Sequence, residues 1–112
     1  MRKILGKTVM VTVDRPLGSC HPRWPEMIYP VNYGYVAGIP GGDGKAQDAY
    51  ILGVDSPLET FEGRVIAVIH RLDDVEDKWV VASEGRLFSA EEIETAVEFQ
   101  ERYFRHELFM AM

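Results

Sequence analysis

A single cysteine, Cys20, stands in a chain of 112 residues, which excludes an intrachain disulfide framework and a multi-cysteine zinc site and fits a reducing compartment. Basic residues are also few: twelve Lys and Arg against eighteen Asp and Glu leave a formal net charge of −6. No general basic field exists to hold nucleic acid or anionic lipid. Long apolar runs are missing, since stretches such as Val65–Ile69 fall far short of a membrane span, and Met1-Arg2-Lys3 lacks the apolar segment of a signal peptide. Together these absences predict a soluble, cytoplasmic protein with no nucleic-acid and no membrane partner. A chain of 112 residues is too short for two hydrophobic cores, so residues 1–112 read as one domain without internal repeat or linker. Its 46% hydrophobic and 27% charged content is that of an ordinary globular chain.

The negative charge is concentrated. Nine acids and three bases lie between Asp43 and Asp77, so this stretch carries the whole −6 and the remainder of the chain is neutral. Solvated acidic turns are one account of it, because Asp favours turns for its own hydrogen bonding. A site for a cation is the other.

Patterning along the chain changes once. Thr8–Val13 sets Val9, Val11 and Val13 on one face, as a strand does. Prolines at 22, 25 and 30 keep Cys20–Pro30 extended or turning. Tyr29–Val36 alternates again, Gly38–Gly44 is a concentrated turn, and Ala49–Val54, Arg64–His70 and Lys78–Ala82 read as further strands. Asp73–Asp77 reads as the hairpin tip before the last of them. From Ser89 the period becomes helical: Ser89-Ala90-Glu91-Glu92 forms a capping box, Phe88 and Ile93 sit as a staple, and apolar residues recur to Leu108. The spacing predicts a helix over about 90–109. Five strands and one helix predict a mainly β protein, a small closed or partly closed barrel covered by the helix.

Chemistry is concentrated at the glycine-rich turn. Gly42-Asp43-Gly44-Lys45-Ala46-Gln47-Asp48 places two aspartates five apart where glycines allow close backbone approach. A hard dication such as Mg²⁺ takes oxygen ligands, usually a few carboxylates with waters and phosphate oxygens. Asp43, Asp48 and an acid from Asp73–Asp77 supply such donors if the fold gathers the loops. His21, His70 and His106 show no metal-ligand spacing.

Taken in order, Tyr29-Pro30-Val31-Asn32-Tyr33-Gly34-Tyr35, Gly42-Asp43-Gly44 and Asp48 resemble the soluble family I inorganic pyrophosphatases. The likeness extends to Asp14-Arg15-Pro16, to Asp73-Asp74 with Glu76-Asp77-Lys78, and to Phe99–Tyr103. The resemblance implies a five-stranded OB-like barrel and Mg²⁺-dependent hydrolysis of diphosphate, with Mn²⁺ as a substitute ion. It implies a small phosphate-bearing substrate and admits a homo-oligomer. Carried over by position, Asp43, Asp48, Asp73 and Glu76 would be metal ligands, Glu76 standing where the family has aspartate. Tyr33, Lys78 and Tyr103 would contact phosphate, and Asp14 would be an outer acid of the site. Asp48, Tyr33 and Lys45 form the implied catalytic group.

The departures bear on activity. Lys45 stands where the family carries a second aspartate that helps activate water, so a site for several dications loses charge. The segment after the first strand is shortened to Ser19–Met27, which leaves Arg15 or Arg23 to replace a phosphate-binding arginine. Phe104 follows Tyr103 where the family has lysine, with Arg105 as its substitute. Two alternatives therefore stand beside diphosphate hydrolysis: a non-catalytic binder of phosphate or metal, and a hydrolase of another small phosphoanhydride.

Overall fold

The computed structural model describes residues 3–42, 44–74 and 76–111. Asp43, expected as a metal ligand, lies outside the described residues. Among the described residues, six strands and one helix follow in the order β1 (Thr8–Arg15), β2 (Asn32–Pro40), β3 (Ala46–Ile51), β4 (Thr60–Arg71), β5 (Asp77–Ala82), α1 (Ala90–Glu101) and β6 (His106–Met110).

Strands β1 to β5 close into an OB-like barrel. The order is β1-β2-β3-β5-β4, and β1 pairs with β4 to shut it. All neighbours are antiparallel except β3 and β5, which run parallel with Ala49, Tyr50 and Ile51 opposite Trp79, Val80 and Val81. One contact depends on a missing side chain. A Cβ on Gly34 would stand 1.9 Å from the backbone oxygen of Thr12, so β1 and β2 pack here only because residue 34 is glycine.

Alternation along each strand sorts the side chains into two buried clusters. Val11, Val36, Ala49, Ile51, Val65, Val68, Trp79 and Val81 come from all five barrel strands and fill the interior. Tyr33, Tyr50, Ala67, Ile69 and Val80 point the other way and pack, with Tyr29, against Ile93 and Val97 of the helix. The second cluster is thus the outer wall of the barrel under α1. Bulges adjust this alternation: an irregularity between Val65 and Ala67 lets Val65 and Val68 both face inward, while Ala67, Ile69 and Arg71 face the helix side.

The helix forms as its capping box predicts, with the Ser89 hydroxyl accepting from the Glu92 N–H at 3.0 Å and the Glu92 carboxylate accepting from the Ser89 N–H at 2.8 Å. It ends at Glu101, short of the predicted 109. Residues 106–110 instead form β6, which lies antiparallel on β4 from Ala67 to Arg71. In His106-Glu107-Leu108-Phe109-Met110 the burial alternates residue by residue, a period of two that matches a sheet edge better than a helix. No helix among the described residues is long and apolar enough to cross a membrane.

Candidate functional site

The site grows from the outer wall. On β3, Asp48 shares the face of Tyr50; on β5, Lys78 shares the face of Val80; on β4, Arg71 follows Ile69. Tyr33 enters from β2 opposite Tyr50. Arg15 joins them through a second irregularity. Val13 pairs with Gly34 and Arg15 with Tyr33, so Asp14 is the extra residue that turns Arg15 to the outer face. The last turn of α1 contributes Phe99, Gln100 and Glu101.

These side chains bound a cleft of about 910 Å³ between barrel wall, helix end and the Cys20–Ile28 loop. Among the described residues its lining holds four cations, Arg15, Arg71, Lys78 and Arg102, and two acids, Glu26 and Asp48. Within a chain of net charge −6 the cleft lining is therefore cationic.

Lys78 is the best-defined member. Only 3% exposed, its ammonium donates to Asp48 at 2.5 Å and to Glu76 at 2.9 Å. Burial works against the charged form, but the surrounding Tyr33, Asp48 and Glu76 outweigh it and hold the ammonium above the ordinary lysine range. An ammonium has three donors, and the two carboxylates take two of them. The oxygens of Asp48 and Glu76 meet at one atom, so both carboxylates reach a common point.

Arg71 is equally buried. Its guanidinium donates to both oxygens of Glu101, at 3.1 and 2.7 Å, and lies 3.7 Å over the ring of Phe104. Asp74 and Glu76 stand at 3.6 and 3.7 Å from it. Against the cost of burial, these pairings with Glu101 keep its proton held more tightly than in free arginine. Glu101, itself 0% exposed, also accepts from the Tyr50 hydroxyl at 2.6 Å. Gln100 donates to Tyr50 and accepts from Tyr29, and Arg15 donates to Tyr29 at 2.8 Å. One hydrogen-bonded chain thus runs from Arg15 through Tyr29, Gln100, Tyr50 and Glu101 to Arg71. Among the described residues no buried side-chain nitrogen or oxygen lacks a partner.

Tyr33 is 5% exposed, and burial pushes its phenol well above the ordinary tyrosine range despite nearby Lys78. It therefore keeps its proton, and its oxygen accepts from the Lys78 ammonium. Asp14 is exposed, yet partial desolvation, with the Asp48 charge adding to it against Arg15, raises its carboxyl. Arg15 has no carboxylate within ion-pair distance among the described residues, so it is the cation of the cleft least compensated by acids.

The expected residues separate into two groups. Tyr33, Asp48, Lys78 and Tyr103 line the cleft, and Glu76 touches it through Lys78. Asp73 stands apart, accepting from the Arg105 backbone N–H at 3.3 Å, and the side chain of Arg105 is outside the cleft lining. Arg23 lines a smaller adjoining hollow with Arg15 and Trp24. Lys45 is exposed on the turn before β3, outside the cleft lining. Of the four expected metal ligands, then, Asp48 and Glu76 converge, and no group of three or more His, Cys, Asp or Glu is gathered for a metal among the described residues. Arg71, Gln100 and Glu101 were not foreseen. A signal existed for two of them: Gln100 and Glu101 stand seven and eight residues after Ile93, with Val97 between, on the stripe that the helix buries.

No family model and no curated protein matches the chain. Solved structures do. The fold is similar to that of an inorganic pyrophosphatase from Ehrlichia chaffeensis, with a TM-score of 0.73 at 16% identity over 96% of this chain and 88% of that one. It is also similar to one from Neisseria gonorrhoeae, with a TM-score of 0.68 at 21% identity over 90% and 79%. A third, from Helicobacter pylori, gives 0.66 at 15% identity over 97% and 90%. At such identities the likeness is one of architecture, and the conclusion it carries is that this chain has the OB-like barrel fold of those inorganic pyrophosphatases.

Proposed function

We propose that the cleft binds diphosphate and hydrolyses it to two phosphates with Mg²⁺, or Mn²⁺ in its place. One observation carries the reading: a buried ammonium, Lys78, pinned by Asp48 and Glu76 in a cleft that Arg15 enters with no carboxylate at ion-pair distance among the described residues. The shared fold with inorganic pyrophosphatases supports it at the level of architecture.

The donor set fits a single dication better than several. Asp48 and Glu76 are hard oxygen donors, but the point their bonded oxygens share is the Lys78 ammonium, so an ion would be held beside Lys78 by their other oxygens. Substrate and water oxygens would complete the ligand sphere. When bound, the ion neutralises phosphate oxygens and lowers the pKa of a coordinated water. Asp43 and Asp73 remain proposed as further ligands on the sequence resemblance alone.

The remaining work falls to side chains. Water adds to one phosphorus while the bridging oxygen leaves with the other phosphate, and Asp48 is the proposed acceptor of the water's proton. Lys78, whose donors face Asp48, Glu76 and the Tyr33 hydroxyl, and Arg15 balance the charge that gathers on the phosphate oxygens. Tyr33 keeps its proton and donates to a phosphate oxygen, and Tyr103 at the rim contacts the outer phosphate. Glu101 orients Arg71 from behind.

A second reading, a binder without turnover, is favoured by Lys45 standing on the turn where the resemblance calls for an acid. Phosphate release from diphosphate with Mg²⁺ or Mn²⁺, measured on the wild type and Lys45→Asp side by side, separates the two. Turnover by the wild type supports the hydrolase. Tight binding without turnover, with activity gained in Lys45→Asp, supports the binder. Neither binding nor turnover of diphosphate sinks both.

A further inference from the structure

The cleft has a second chemistry that inorganic diphosphate does not use. Its volume, about 910 Å³, is in the range of pockets that take organic ligands of drug size. Beside its charged groups, the cleft is lined by aromatic and apolar side chains: Trp24, Ile28, Phe99, Tyr103 and Phe104. Three of these are largely open to solvent, Trp24 and Ile28 at 52% and Tyr103 at 66%. A small, fully polar anion gains nothing from such a wall.

The wall is held in place by backbone. Cys20 and Ile28 form an antiparallel bridge, the His21 N–H donates to the Met27 carbonyl at 2.9 Å, and the Met27 N–H donates to the Trp24 carbonyl at 2.9 Å. His21 Nδ1 accepts from the N–H groups of Arg23 and Trp24 at 3.0 and 3.2 Å. The loop is therefore fixed without help from the indole of Trp24, which is left facing the cleft. A rigid aromatic surface beside a cationic floor is the arrangement that receives a planar heterocycle joined to phosphate.

We propose that the cleft takes a nucleoside di- or triphosphate, its phosphates on the floor of Arg15 and Lys78 and its base against the wall of Trp24 and Tyr103. This rests on the reading of the floor as a diphosphate site and extends it to the substrate class. A planar base is favoured over a flexible apolar tail because cations are interleaved with the aromatics: the Arg102 guanidinium stands 5.7 Å from the Tyr103 ring, and Arg15 enters the same cleft.

The test is calorimetric titration of the protein in Mg²⁺ with imidodiphosphate as the non-hydrolysed diphosphate, ADP, ATP, AMP and a short prenyl diphosphate, with phosphate release from diphosphate assayed alongside. Base stacking on an aromatic predicts that ADP binds about tenfold or more tightly than diphosphate. Trp24→Ala should reduce that ratio about fivefold or more, and ADP should quench the fluorescence of the exposed Trp24 in the wild type. Diphosphate binding with ADP equal or weaker overturns this inference and leaves the diphosphate reading intact. ADP binding without any diphosphate turnover overturns hydrolysis of diphosphate and leaves this inference intact. A prenyl diphosphate that binds more tightly than ADP overturns the planar group, and a chain that binds none of them overturns both readings. The wild-type ratio decides the matter even if Trp24→Ala fails to fold.

Discussion

The two faces of the same five strands are built on different rules. Inward, Val11, Ala49, Ile51, Val65, Val68 and Val81 fill the barrel with side chains that need only shape. Outward, the strands that supply those residues also present Asp48, Tyr50, Arg71 and Lys78, each bonded to a named partner. Losing volume inside costs contact in proportion to what is removed. Losing one member outside strands a buried partner, so the cost falls on groups that were not changed.

Gly34 lies on the inner face, paired with Val13 and Ala49, and changing it gives the largest expected effect. Gly34→Ala drives a methyl into the Thr12 backbone oxygen, which would stand at 1.9 Å, so the strands must part. Circular dichroism should show no cooperative thermal transition. Next comes the outer network. Glu101→Ala leaves Arg71 buried without its bidentate partner and should cost about 3–5 kcal/mol in urea unfolding. It should also weaken diphosphate binding, because Arg71 loses its orientation; unchanged affinity would separate the network from the site.

The interior gives the contrasting result. Ile51→Val removes one methylene from the barrel and should cost about 1 kcal/mol with diphosphate affinity unchanged. Smallest is the tie between β6 and α1. His106 bonds Glu94 at 2.8 Å, and although burial opposes protonation, Glu94 and the Phe104 carbonyl raise its pKa above the ordinary 6.5. A raised folded pKa means the stabilisation is complete below pH 6.5 and fades as pH rises through the folded value. With Glu94 half exposed, the loss should be roughly 0.3–0.5 kcal/mol, absent in His106→Gln, and read as a difference in melting temperature between the two pH limits.

These contrasts explain what the sequence disclosed. The inner face was legible because Val9, Val11 and Val13 alternate on one strand, and the helix start because Ser89 and Glu92 cap each other locally. Asp48, Tyr33 and Lys78 were legible as site candidates only through the resemblance around them. That Lys78 bridges Asp48 and Glu76 depends on β3 and β5 lying parallel, a long-range pairing with no local signature. Arg15 was visible as a candidate, but its turn into the cleft follows from the bulge at Asp14, which ordinary alternation hides. Phe104 and Leu108 fit both a helical and a strand period, and the free edge of β4 decided for the strand. Glu101 reads as a surface charge until Ile93 and Val97 are seen to share its stripe.

The central claim is that the outer face forms a phosphate site around Lys78. The most direct measurement is calorimetric titration of imidodiphosphate, a diphosphate whose bridge is not hydrolysed, in Mg²⁺ into the wild type and Lys78→Met. Methionine keeps the length of the side chain and removes the ammonium. Loss of one charge-assisted hydrogen bond predicts an affinity about tenfold or more weaker in a variant that still melts cooperatively. Equal affinity in the two proteins would contradict the account.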